Sequence, residues 1–257
     1  MSNEMECHVE LSERPSGPER IALVTGGNAG IGLATCRALA QLGITVLLGA
    51  RDAERGAVAV GVLRADGLPV ELCLIDVVDD GSVTLAASAI AARHGRLDIL
   101  VNNAGFKEEF SPATPSETSL DLVRRTYETN VFGTIRVIQA MLPLLRRSSA
   151  GRIVNVSSGL GSIGRAVDPA RPEHRVTLLG YCTSKTALNA VTVQFANELA
   201  PAAIKVNAVD PGPVATPMNP RAHRTPAQAV APIVEMATIG SDGPTGGYFD
   251  EAGAVPW

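Results

Sequence analysis

Short apolar runs alternate with stretches of helical periodicity along most of the chain. Ile21–Thr25 is apolar and leads through a glycine cluster into the helical stretch Ile31–Gln41. Thr45–Ala50 leads into Asp52–Ala65, Val70–Asp76 into Gly81–Arg93, and Asp98–Asn102 into a long helical stretch, Leu120–Leu145. The strand Arg152–Ser157, the helix Tyr181–Leu199 and the strand Ile204–Val209 continue the alternation. Runs that are Val, Ile and Leu almost throughout belong to strands covered on both faces. Strands joined by helices of this length need crossover connections, which give a parallel sheet. The pattern therefore predicts an α/β fold with one doubly wound parallel sheet and helices on both faces. The end of the chain differs. Thr225-Pro226 reads as a helix start, with an N-cap followed by Pro at the first helical position. Gly246–Phe249 reads as a strand, Asp250–Gly253 as a turn and Ala254–Pro256 as an extended tail.

The 257 residues are 46% hydrophobic, enough for one large core, and neither an internal repeat nor a second domain is visible. A net charge of −4 points away from nucleic acid and anionic membranes as main partners. No apolar run approaches the roughly 20 residues of a membrane span. Residues 1–20 mix Glu, Ser, Pro and Arg without an apolar stretch and read as a flexible extension, leaving 21–257 as the folded domain. Cys7, Cys36, Cys73 and Cys182 have no disulfide-framework or CxxC spacing, which suggests a reduced, cytoplasmic setting. His8, His94, His174 and His223 are scattered, so no metal site is expected.

Three features carry chemistry. Tyr181 and Lys185 are four residues apart, on one face of a helix. At an effective dielectric near 20, an ammonium about 4–6 Å from a phenol favours the phenolate by roughly 3–4 kcal/mol. That would draw the tyrosine from its usual value of about 10 towards neutrality. The spacing also arises by chance on solvated faces. Cys182 points elsewhere, since a helix turns about 100° per residue. The second feature is Thr25-Gly26-Gly27-Asn28-Ala29-Gly30-Ile31-Gly32, between the first strand and the first helix. Its glycines let the backbone approach a pyrophosphate, and the helix start offers free N–H groups and a positive dipole end. The third is Gly49-Ala50-Arg51 at the end of the second strand, where a site for NAD would carry Asp or Glu. Arg51, assisted by Arg55 one turn on, suits a 2′-phosphate, with charge-assisted bonds of about 1.5–3 kcal/mol each. This favours NADP over NAD, although Asp52 and Glu54 weaken the local positive field.

Taken together, these residues resemble the short-chain dehydrogenase/reductase family, over nearly the whole chain from Ile21. Thr25–Gly32 matches the cofactor turn of that family, within which Gly26, Asn28, Gly30, Ile31 and Gly32 would face the cofactor. Asp76-Val77 matches the pair bordering the adenine, and Asn102-Asn103-Ala104-Gly105 the segment after the fourth strand. Asn130 matches the helix asparagine, Ser158 the catalytic serine, and Tyr181 with Lys185 the catalytic pair. Pro211-Gly212-Pro213-Val214-Ala215-Thr216 matches the segment that grips the nicotinamide. Ala50-Arg51-Asp52 and the ending Val255-Pro256-Trp257 look most like the carbonyl-reductase-like branch.

The resemblance implies a Rossmann-type sheet, NADP(H) as cofactor, and reversible reduction of a ketone or aldehyde. Tyr181 would donate the proton and Ser158 would stabilise the developing charge. Lys185 would lower the tyrosine pKa and bind the nicotinamide ribose, and Asn130 would hold a water linking Lys185 to solvent. A homodimer or homotetramer through Leu120–Leu145 and Tyr181–Leu199 is a further implication. There are departures. Ala29 stands where NADP-binding members often carry Lys or Arg. Ser158 and Tyr181 are 23 residues apart, more than in compact members. The intervening Arg165–Leu179 is expected to be a surface segment near the mouth of the site. The substrate pocket is expected along 106–110, 160–179 and 213–224, suited to a medium-sized, partly apolar carbonyl compound. Reduction of an enone C=C or an imine on the same fold, or a non-catalytic dinucleotide sensor, are the alternative readings.

Overall fold

The computed structural model describes residues 20–109 and 114–257. The expected extension, apart from Arg20, and residues 110–113, the first of which ends the expected pocket segment 106–110, lie outside the described residues.

One sheet organises the chain. Its strands are β1 (Ile21–Val24), β2 (Thr45–Ala50), β3 (Val70–Leu74), β4 (Ile99–Asn102), β5 (Arg152–Val156), β6 (Lys205–Val209), β7 (Tyr248–Asp250) and β8 (Gly253–Ala254). They lie in the order β3-β2-β1-β4-β5-β6-β7-β8. All pairings are parallel except β7 with β8. The order reverses between β1 and β4, and ligands of such sheets bind at the carboxyl ends of the strands there.

The helices are α1 (Gly30–Gln41), α2 (Ala53–Ala65), α3 (Asp80–His94), α4 (Leu120–Tyr127), α5 (Thr134–Leu145), α6 (Ile163–Ala166), α7 (Leu179–Leu199), α8 (Pro226–Ala229) and α9 (Ala231–Thr238). Strand residues alternate between two cores. Leu23, Leu47 and Leu100 pack on α3, α5 and α7, while Val24, Leu48 and Val101 pack on α1, α2 and α9. Both faces are apolar, which is why the strands read as continuous runs. Among the described residues no helix is long and apolar enough to cross a membrane.

Two local differences from the sequence expectation matter. The stretch 120–145 is not one helix: a π-helical turn, Glu128–Gly133, separates α4 from α5. Gly133 is wedged against β3–α3, since a Cβ there would lie 3.0 Å from Val77 Cγ2 and 3.2 Å from Glu128 O. The wider turn brings Asn130, fully buried, towards the end of β4. The tail is not merely extended: Phe249 pairs with Ala254 in a short antiparallel hairpin. The start of α8 matches expectation, with Thr225 and Gln228 forming a capping box.

Candidate active site

The glycine turn leaves β1 with Gly26 and Gly30 at positive φ, 63° and 53°. Gly32 lets α1 close on the turn, because a Cβ there would lie 2.2 Å from Gly26 O and 2.5 Å from Asn103 Nδ2. Asn103 braces the turn from β4, donating from Nδ2 to Thr25 O at 2.9 Å and Gly26 O at 3.1 Å. Thr25 Oγ1 accepts from the backbone of Asn103 and Ala104 in return. Helix α1 has no side-chain cap and no acidic residue in its first turn. Its free N–H groups and positive end are thus left for an anion.

A cleft of about 770 Å³ runs from this turn along the strand ends, within the usual size of a small-molecule site. The residues expected to face the cofactor or to act in catalysis line it, except Arg55 and Asn130, and the expected pocket segments 106–110, 160–179 and 213–224 each contribute some of their residues. Arg51 stands at its rim and makes no ion pair among the described residues. Arg55 is instead on the exposed side of α2, 3.7 Å from Asp52, the residue that caps that helix. Asn130 lies behind the cleft wall. Its Oδ1 accepts from Phe106 N at 2.7 Å, and its Nδ2 donates to Phe106 O at 3.0 Å and Ser184 Oγ at 2.9 Å.

Ser158 follows β5, Tyr181 lies in the first turn of α7, and both line the cleft. Lys185 is buried one turn on, its Nζ donating to Val156 O at 2.8 Å and lying 5.8 Å from the Tyr181 ring centre. The expected lowering of the phenol by this ammonium is not found. Burial pushes Tyr181 up to about 12, against the Ser158 hydrogen bond and with a smaller upward push from Asp210. Burial likewise draws Lys185 down to about 8. Both groups are shifted towards their neutral forms because the desolvation of each outweighs their attraction.

Most of Arg165–Leu179 is exposed, as expected of a surface segment, but Arg165 and Leu178 are buried. Arg165 is buried at the centre of three carboxylates: Asp210 at 3.0 Å, Asp250 at 2.5 Å and Glu173 at 3.5 Å. Gly159 packs against this cluster, where a Cβ would lie 2.8 Å from Asp210 Oδ2 and 3.0 Å from Arg165 Nη1. Asp210 also accepts from Gly212 N at 2.8 Å, so one arginine anchors both the residue after Ser158 and the Pro211-Gly212 turn. Pro172, Glu173 and Val176 form part of the cleft wall. Tyr248, also unforeseen, donates from its hydroxyl to Ser158 O at 2.5 Å and stacks on Trp257. No local motif announces these partners, which come from positions far apart in the chain.

A profile of the family described as short chain dehydrogenase matches residues 20–227. Cyclopentanol dehydrogenase of Comamonas testosteroni is 36% identical over 213 residues, spanning 83% of this chain and 80% of that protein. Salutaridine reductase of Papaver bracteatum is 33% identical over 294 residues, spanning 90% of this chain and 94% of that protein. The solved structure of NADPH-bound carbonyl reductase from chicken fatty liver matches with a TM-score of 0.81 at 26% identity, over 93% of this chain and 99% of that one. Profile, relatives and fold converge with the glycine turn and the Ser158–Tyr181–Lys185 grouping, and the chain belongs to the short-chain dehydrogenase family.

Proposed function

We propose that this protein uses NADPH to reduce a ketone or aldehyde to the alcohol, reversibly, with Tyr181 as the proton donor. The observation that carries this reading is that Ser158, Tyr181 and Lys185 line the same cleft as a glycine turn built for a pyrophosphate. The residues fit NADP(H). Gly26, Gly30 and Gly32 leave backbone exposed to the pyrophosphate at the uncapped start of α1. Arg51 would hold the 2′-phosphate, Asp76 and Val77 the adenine end, and Pro211–Thr216 the nicotinamide end. When bound, the cofactor supplies hydride to the carbonyl carbon.

The chain's own groups manage the charge. As negative charge grows on the carbonyl oxygen, Ser158 donates a hydrogen bond to it and Tyr181 transfers its proton. A phenol pushed up to about 12 is fully protonated at neutral pH, as a donor must be. Lys185 lies beside the ring and stabilises the phenolate that the transfer leaves behind. Asn130 holds the Phe106 backbone in place through hydrogen bonds in both directions. A dinucleotide sensor has no need of a proton donor, so this grouping favours an enzyme. The wall near Ser158 combines Leu160, Val176 and Met218 with Lys107 and Glu173, which suits a medium-sized carbonyl compound of mixed polarity.

A cytoplasmic setting accords with the free thiols Cys36, Cys73 and Cys182. Exposed Leu120 on α4 and Phe132 on the π turn offer apolar surface for a homodimer or homotetramer. The test is spectrophotometric NADPH oxidation against a panel of ketones, aldehydes, enones and imines, with NADH in parallel. Turnover of ketones or aldehydes with NADPH supports the reading. Turnover confined to enones or imines, or none, overturns it.

A further inference from the structure

Tyr181 stands in the first turn of α7, where backbone N–H groups have no partner within the helix. The preceding residue, Leu178, supplies no side-chain cap. The cap comes from far away in the chain. Glu109, on the loop after β4, accepts from Gly180 N with Oε1 at 3.1 Å and from Tyr181 N with Oε2 at 2.8 Å. Glu109 is only 7% exposed. A carboxylate is suited to this place, because it offers two acceptors to two adjacent donors at the positive end of a helix. Gly180 makes room for it: a Cβ there would lie 3.3 Å from Glu109 Oε2 and 3.1 Å from Leu122 Cδ2.

The other side of the Tyr181 backbone is held by the same loop. Ser184 Oγ donates to Tyr181 O at 2.8 Å, and Asn130 Nδ2 donates to Ser184 Oγ at 2.9 Å. Asn130 in turn grips Phe106, three residues before Glu109. The hydrogen bonds close a ring: Glu109 to Tyr181 N, then Tyr181 O through Ser184 and Asn130 to Phe106 and along the loop to Glu109. Within it, Phe106 and Lys107 line the cleft, and the Lys107 ammonium lies 6.0 Å from the centre of the Tyr181 ring.

We propose that Glu109 is a positioning residue for proton transfer: it fixes the Tyr181 backbone so that the phenol meets Ser158, and ties that placement to the cleft loop. The inference rests on the reading of Tyr181 as proton donor. Its reach follows from the sensitivity of such steps, since a misplacement of about 1 Å can cost on the order of a hundredfold in rate.

The experiment compares wild type, Glu109→Gln, Glu109→Ala, Tyr181→Phe and the double variant Glu109→Ala/Tyr181→Phe, each below its unfolding midpoint. The substrate is the ketone or aldehyde that wild type reduces fastest, and NADPH affinity is read by fluorescence titration. Glu109→Ala is expected to lower kcat by about tenfold or more with NADPH affinity within about twofold of wild type, a split that a merely structural cap would not produce. Glu109→Gln, which keeps one acceptor oxygen, recovers part of kcat, and it carries the test if the Ala variant does not fold. The double variant falls no further than Tyr181→Phe alone, because both act on one step. Wild-type kcat in Glu109→Ala, or in Glu109→Gln where the Ala variant does not fold, or a full further loss in the double variant, overturns the Glu109 assignment. Near-wild-type turnover of Tyr181→Phe instead overturns the proton-donor reading, so the two failures are told apart.

Discussion

Lys185 is 4% exposed and its ammonium is offered the Val156 carbonyl rather than a carboxylate. Burial draws it from 10.5 down to about 8. Between these values the unfolded chain holds a proton that the folded chain has released, so stability rises with pH across that window and the cost is fully present below it. At about 1.36 kcal/mol per tenfold change in proton affinity, the fall from 10.5 to about 8 amounts to roughly 3 kcal/mol. Between pH 7 and pH 10 most of it, roughly 2–3 kcal/mol, is recovered. Tyr181 acts in the opposite sense, but only above its unfolded value of 10, where the unfolded phenol ionises first and stability falls. Urea unfolding of the cofactor-free protein from pH 7 to pH 10 therefore isolates the lysine when wild type is compared with Lys185→Met. The variant leaves Val156 O without its donor, an offset of about 1–3 kcal/mol that does not vary with pH. The difference in stability, wild type minus variant, should grow by about 2–3 kcal/mol over the range. Parallel pH curves would refute the reasoning, since the ammonium would then be as well solvated in the folded protein as in the unfolded chain.

Gly32→Ala places a methyl 2.2 Å from Gly26 O and should weaken NADPH binding at least tenfold, read by fluorescence titration; unchanged affinity would mean the turn has slack. Arg51→Ala should raise the KM for NADPH by roughly tenfold while that for NADH stays within about twofold; equal effects would remove the 2′-phosphate contact. Arg165→Met leaves Asp210, Asp250 and Glu173 facing one another without their cation and should lower stability by about 3–5 kcal/mol. Thermal melts check this, and a stability equal to wild type would argue against the charge cluster as a contributor to the fold.

The order of strands and helices was legible because each element carries its own periodicity and both sheet faces are apolar. The residues that line the cleft were legible where they sit at the carboxyl ends of strands or in the first turn of a helix, as do Gly26, Ser158 and Tyr181. What escaped was set by packing at long range. The π turn at Glu128–Gly133 packs Gly133 against Val77, a contact between segments more than fifty residues apart. Arg165 looked like one more charged residue of a polar loop, and only the convergence of three distant carboxylates shows it to be interior. Glu109 was equally silent, since a carboxylate in a loop gives no sign of the helix it caps. The effect of Lys185 on Tyr181 was misjudged for a related reason: spacing fixes which face two groups share but not how much water each has lost.

Tyr181→Phe, assayed by NADPH consumption with a carbonyl substrate and by NADPH titration, addresses the role of the phenol most directly. Removal of one oxygen should leave NADPH affinity within about twofold of wild type and lower turnover by on the order of a hundredfold to ten-thousandfold, the range expected for a general acid. Turnover close to wild type with the cofactor still bound would contradict a proton supplied by Tyr181.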